Sequence, residues 1–224
     1  MKINGVCRVG RLFFYSDQVL DSLHNRCLDD VLFEGKSPRE IKIGYIPSTE
    51  DKEKKYFHIK KQYYHMYGVE NILFFDLYSE FDPTKIDELV SCDIIHLSAG
   101  DPIAFRMALK ERSIDQVLKD YYTNGGTIVG VSGGAVQLGK STKLFHLFIG
   151  SNEQSDIDAL GLVDFEYLPH YNRWDDAFKE KVKDYVQTTG TIVYAGNDGD
   201  GIIVENGEIR LIGDIVKITK TGGA

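Results

Sequence analysis

The residues best suited to nucleophilic chemistry lie in Thr127-Ile128-Val129-Gly130-Val131-Ser132-Gly133-Gly134-Ala135, where an apolar, β-branched run breaks into small residues around one serine. Gly130 lies two before Ser132 and Gly134 two after it, the G-x-S-x-G spacing of a strand that turns at once into a helix. Such a turn forces tight backbone geometry, and small neighbours let the two backbones pass closely while the serine side chain stays raised above the sheet. The amide of Gly133 comes with the same bend and is placed to face an oxyanion formed over Ser132.

A serine hydroxyl is a weak nucleophile at neutral pH and needs a base within reach. Of six histidines, His170 is the leading candidate, because Phe165-Glu166-Tyr167-Leu168-Pro169-His170 reads as a strand ending in a restrained loop above a sheet edge. His146 is a weaker second choice. His58 and His65 fall in a Lys- and Tyr-rich helical stretch, His96 sits inside an apolar strand as a core residue, and His24 looks ordinary. The base in turn needs a carboxylate to fix its tautomer and stabilise the imidazolium. Asp198, in Gly196-Asn197-Asp198-Gly199-Asp200-Gly201 between two strands, is the first choice, with Asp200 as the alternative and Asp156, Asp158, Asp164 and Glu166 also near this region in sequence. That run has the composition of a calcium loop but not its spaced ligands or terminal Glu. A second oxyanion donor is expected from Leu97-Ser98-Ala99-Gly100-Asp101-Pro102, with Gly100 as the choice. Asp101 is left between ending the turn, capping the next helix and binding a substrate amine. Neither glycine segment has the spaced glycines and following Lys of a phosphate loop.

The elements that must hold these residues alternate. Arg8–Tyr15, Ile41–Pro47, Asn71–Asp76, Asp93–Leu97 and Thr127–Val131 read as strands, several too apolar to have a wet face. Helical patterns cover Asp17–Phe33, Asp51–Tyr67 and Ala104–Tyr122, the last stopped by Asn124-Gly125-Gly126. This βαβα order predicts an α/β fold, a three-layer sandwich with helices on both faces of a mostly parallel sheet. Further on, Phe165–Pro169 and Thr191–Ala195 read as strands around a helix over Asp175–Gln187. Gly201–Glu205 and Glu208–Leu211 form a late β-hairpin across Asn206-Gly207, a dipeptide suited to a type I′ turn, and a last strand falls near Ile215–Ile218.

The 224 residues suit one domain, residues 1–224, with 42% apolar residues to fill its core. A net charge of -8 disfavours nucleic acid and anionic membrane as main partners. No apolar run approaches the ~18 residues of a spanning helix, and the N-terminus lacks a hydrophobic targeting core, so the reading is soluble and cytoplasmic. Cys7, Cys27 and Cys92 suit reduced, mostly buried thiols. No cofactor or metal is expected. The 13 Tyr and 12 Phe should mostly fill the layers between helices and sheet, with Tyr63, Tyr64 and Tyr67 placed at an interface or a pocket rim.

Taken in order, Ser98-Ala99-Gly100-Asp101-Pro102, Gly130-Val131-Ser132-Gly133-Gly134-Ala135 and Pro169-His170-Tyr171 resemble peptidase family S51, the group of aspartyl dipeptidase (peptidase E) and cyanophycinase, within the class I glutamine-amidotransferase-like folds. The likeness runs over nearly the whole chain. It implies a flavodoxin-like αβα sandwich and serine-dependent peptide cleavage, with Gly100 in the oxyanion segment, Ser132 and Gly133 in the nucleophile elbow and His170 in the histidine segment. Related amidotransferases carry cysteine at the elbow, and none of the three cysteines here is near it. The family elbow commonly has Ala where Gly133 stands, and its oxyanion segment commonly starts Gly-Gly-Gly where this chain has Ser98-Ala99-Gly100. Family acids lie either just after the elbow or in the late loop, and 140–149 contains no Asp or Glu, which favours Asp198. Peptidase E selects an N-terminal Asp, for which Arg106 or Arg173 could supply positive charge. The expected activity is that of a serine exopeptidase or dipeptidase acting on short peptides, with a homodimer left open. The competing readings are an esterase or amidase of small metabolites and a noncatalytic binding or regulatory module on the same fold.

Overall fold

The computed structural model describes residues 9–150 and 158–221. Seven strands form the main sheet in the order β3-β2-β4-β5-β1-β8-β9. They are β1 (Arg11–Tyr15), β2 (Lys42–Ile46), β3 (Asn71–Phe74), β4 (Ile94–Leu97), β5 (Thr127–Val131), β8 (Gly201–Glu205) and β9 (Glu208–Ile212). The pairs β3/β2, β2/β4, β4/β5 and β5/β1 are parallel, whereas β8 and β9 join antiparallel as the late hairpin. A second sheet, β10-β7-β6, is built from β6 (Phe165–Leu168), β7 (Ile192–Ala195) and β10 (Val216–Ile218).

Alternation along the central strands divides the core into two layers, one on each face. Leu12 and Phe14 of β1 and Ile128 of β5 pack with α3 (Ile86–Val90), α4 (Pro102–Glu111), α5 (Ile114–Thr123) and α6 (Gly133–Leu138). Phe13, Tyr15, Val129 and Val131 point the other way, against α1 (Leu23–Leu32) and α2 (Lys55–His65). Both faces of β1 and β5 are therefore dry, which is why these strands read as continuous apolar runs. A third apolar cluster joins the small sheet to α7 (Lys143–Ile149) and α8 (Asp176–Thr189) through Leu144, Leu168, Phe178 and Val182. The outcome is the three-layer αβα sandwich of flavodoxin type, with its hairpin turning at Asn206 (φ 53°) and Gly207 (φ 80°).

Three local features depart from the reading of the sequence. The helical pattern over 104–122 is two helices, α4 and α5, broken where Ser113 takes a left-handed conformation (φ 57°). Beside this break Arg112 donates to the carbonyls of Leu77 and Tyr78. The first helix starts only at Leu23, because Ser22 accepts a hydrogen bond from the amide of Asn25 as N-cap and so fixes its start. Cys27 is exposed whereas Cys92 is buried, and Cys7 lies outside the described residues. No helix among the described residues is long and apolar enough to cross a membrane.

Candidate active site

Strands β4, β5 and β1 end on one edge of the sheet, where ligands of open α/β folds bind. Immediately beyond β5 comes Ser132, with φ 50° and ψ −114°, a conformation that side-chain-bearing residues rarely adopt. The bend is held by its neighbours: the Ser132 amide donates to Tyr15 O at 2.9 Å, and a Cβ on Gly130 would stand 2.6 Å from Ala135 Cα. Ser132 is partly accessible, as a nucleophile must be, while all of α6 after it is buried.

His170 arrives from the other sheet, just past β6, and is also left-handed, with φ 60°. Its amide donates to Ser16 Oγ at 2.7 Å, and Ser16 Oγ donates to Gly196 O at 2.9 Å, so the hydroxyl beyond β1 pins the histidine loop to the end of β7. His170 Nε2 lies 2.7 Å from Ser132 Oγ, and Nδ1 lies 2.7 Å from Asp198 Oδ1. With Asp198 ionised, Nδ1 carries the ring proton and Nε2 is the acceptor facing the serine hydroxyl.

Asp198 has its second oxygen filled by Arg173 Nε at 2.7 Å and Asn172 Nδ2 at 3.1 Å. Burial raises the carboxyl's pKa, but the hydrogen bonds from His170, Arg173 and Asn172 together outweigh it and hold the group below the usual carboxylate range. Asp200 is committed elsewhere: it faces His24 Nδ1 at 2.8 Å and accepts from the Asn197 amide. Asp17, His170 and Asp198 have ligand atoms within 4.8 Å of one another, but Arg173 bridges Asp17 and Asp198, so the group reads as an ion-pair network around the histidine.

Gly100 follows β4 with φ 150°, where a Cβ would fall 2.1 Å from Ser48 Oγ. A Cβ on Gly133 would stand 2.0 Å from the carbonyl oxygen of Gly100. The glycine that replaces the family's alanine thus lets the Gly100 segment lie directly on the start of α6. Asp101 caps α4, its Oδ1 accepting from the amides of Ile103 and Ala104, one of the three roles left open for it. Gln137 of α6 donates to Pro102 O at 2.8 Å and ties the two segments together. The amides of Gly133, Gly134 and Ala135 open α6 and have no partner four residues back within the helix.

The remaining histidines stand apart. His58 and His65 are exposed. His96 is buried with Nδ1 2.7 Å from Tyr64 OH, and burial drives its pKa well below the usual value. His146 is buried in α7, and the ring that meets Ser132 is that of His170. Tyr63, Tyr64 and Tyr67 belong to the core layer under α2, not to a pocket rim. Sequence reasoning missed Ser16, Asn172 and the pairing of Arg173 with Asp198. The loop Tyr171-Asn172-Arg173, adjacent to the histidine, was the available signal.

Two cavities meet at Gly100. One of about 100 Å³ is lined by Ser132, His170 and apolar side chains of α6, α7 and α8. The other, about 290 Å³, is lined by Tyr45, Ser48, Thr49, Tyr56 and Ser98.

Comparisons with known proteins agree with this geometry. The model of Peptidase family S51 matches residues 16–212. The uncharacterized peptidase YgaJ of Bacillus subtilis is 22% identical over 192 residues, 83% of this chain and 78% of that protein. Among solved structures, a candidate peptidase E from Listeria monocytogenes EGD-e superposes with a TM-score of 0.70 at 19% identity, covering 91% of this chain and 98% of that one. A peptidase from an acI-B1 Actinobacterium gives 0.68 at 18% identity and covers 96% of both chains. At such identities the structural matches speak for the fold alone; the family match, spanning all three site segments and joined to a Ser–His–Asp arrangement on that fold, marks a serine-type peptidase, and the chain belongs to peptidase family S51.

Proposed function

We propose that this peptidase removes residues from short peptides, with Ser132 as nucleophile, His170 as general base and acid, and Asp198 as the residue that orients His170. The observation that carries the reading is the unbroken line from Ser132 Oγ through both ring nitrogens of His170 to Asp198 Oδ1, each gap 2.7 Å. Ser132 Oγ attacks the scissile carbonyl carbon as its proton passes to His170 Nε2. The carbonyl's electron pair moves onto oxygen, facing the amides of Gly100 and Gly133, and removing one donor of this kind costs about 3 to 4 kcal/mol of transition-state stabilisation. The C–N bond then breaks as Nε2 gives its proton to the leaving amine. Water attacks the resulting ester, again losing a proton to Nε2, and the acid departs as Ser132 regains its hydrogen.

Cavities of about 100 and 290 Å³ on either side of Gly100 suit one or two residues of a peptide, which supports a short substrate over a long chain laid in a cleft. The test is covalent labelling by a fluorophosphonate together with hydrolysis of a dipeptide library. Label on Ser132, lost in H170A, and turnover lowered about 10⁴-fold or more in S132A are the expected results. Unchanged hydrolysis by S132A rules the mechanism out.

A further inference from the structure

The cavity beside Ser132 has walls that do not suit an acidic substrate. Val136 of α6, Leu144, Phe145 and Phe148 of α7, and Trp174 and Phe178 beside them enclose it, together with the backbone of Gly100 and Gly133. The aromatic rings support one another: Phe148 and Trp174 lie 4.5 Å apart edge to face, and Trp174 and Phe178 lie 4.9 Å apart. Trp174 satisfies its own polar atom by donating to Pro169 O at 2.7 Å, which leaves the ring to the cavity. Phe148 keeps 47% of its surface open at the rim, an apolar area that an incoming side chain would cover.

Among the described residues, no Lys or Arg lines this cavity. Arg106 is 3% exposed at its side chain and is held by both Asp115 oxygens and by Asp158 O. Arg173 is held by Asp198 and Asp17. Lys179 lies over the Tyr171 ring at 4.6 Å. A carboxylate entering here would lose its water and meet no Lys or Arg among the described lining residues. The volume, about 100 Å³, is below the ~150 Å³ that accepts a benzene ring, so it fits a branched or flexible aliphatic chain better than a large aromatic one.

We propose that this enzyme selects a neutral aliphatic side chain, of leucine, methionine or valine size, next to the scissile bond, and that Phe148 and Trp174 read it. The proposal rests on the hydrolytic reading of Ser132 for its consequence in turnover, but not for its binding. Trp174 is the sole tryptophan of the chain, so its fluorescence reports occupancy without any catalysis. Dipeptides carrying Leu or Asp at each position in turn are titrated into S132A while Trp174 emission is followed, and kcat/KM is measured for the same peptides with the wild-type enzyme. The Leu peptides are expected to shift the emission and bind at least tenfold tighter than their Asp counterparts, with kcat/KM in the same order. F148R, at an exposed site, should narrow or reverse that ratio. Asp peptides that bind or react as well as Leu peptides overturn the proposal, as does the absence of any Leu-dependent shift at millimolar concentration. Leu-selective binding to S132A with no turnover by the wild-type enzyme leaves the subsite standing and refutes the hydrolytic reading instead.

Discussion

Asp198 and Asp29 are two carboxylates that each take three side-chain hydrogen bonds, yet their surroundings drive them in opposite directions. Asp198 sits at the rim with partners that carry or can accept positive charge, Arg173 and His170, and is held below the usual carboxylate range. Asp29, on α1, is fully buried with neutral donors: Tyr15 OH at 2.8 Å, Tyr67 OH at 2.6 Å and Tyr63 OH. Burial raises its pKa more than the three phenols and the charge of Lys60 can lower it. The tyrosines respond in kind, each raised by burial first and by Asp29 next. A carboxylate that must stabilise a transient imidazolium needs to stay ionised, and the first setting provides this. The second fastens two helices to β1.

Exchanging each acid for its amide separates these roles most widely. D198N should lower kcat/KM about 10⁴-fold by allowing the wrong histidine tautomer, whereas D29N should stay within about threefold of wild type. Steady-state hydrolysis of one peptide by both variants checks this, and comparable losses would end the distinction. Over-packing the contact between Gly133 and the Gly100 segment comes next. In G133A the new Cβ meets Gly100 O, so kcat/KM should fall more than tenfold and stability by about 1 to 3 kcal/mol, read from turnover and urea unfolding.

Truncation inverts the order of the two acids. D29A leaves three tyrosyl hydroxyls, two of them on buried residues, without an acceptor and should cost about 3 kcal/mol or more of stability, a larger loss than that of D198A, whose partners reach water. Equal urea midpoints for D29A and wild type would remove the structural role assigned to Asp29.

The smallest effect is the most specific, because the two acids should respond to pH with opposite sign. Asp29, raised in the folded state, contributes stability that is fully present below about pH 3.9 and is lost as pH climbs through its folded value. Asp198, lowered in the folded state, contributes stability that is present above about pH 3.9 and is lost as pH drops through its folded value. The stability gap between wild type and D29N should therefore narrow from acid to neutral pH, and the gap to D198N should narrow from pH 5 downward. Urea unfolding across pH measures both; parallel trends would contradict the pairings described.

Legibility in the sequence followed the range of the forces involved. Thr127–Val131 ends as a strand at the residues where its apolar run meets Ser132, since both the run and the bend are local. The Asn206-Gly207 turn is equally local, a matter of which residues tolerate positive φ. By contrast, the single helix read over 104–122 failed at Ser113, where the periodicity continues although the backbone does not. The small second sheet was not anticipated, because β6, β7 and β10 look like any further strands until their partners are known. Nor could composition tell Asp198 from Asp200, two residues apart in one loop. One faces His170 and the other His24, a choice made by strand ends far away in the chain.

By itself, then, the order of residues determined a serine on a tight bend, a histidine past a later strand, a parallel sheet dry on both faces and the family likeness that these share, since each depends on propensity, patterning or spacing along a few residues. Tertiary structure alone decided which carboxylate meets the histidine, which arginines are already neutralised and what lines the space beside Ser132. Those outcomes depend on distances between segments that the chain brings together only when the sheet edge, α7 and α8 close on one another, and charge and solvation act over just such distances.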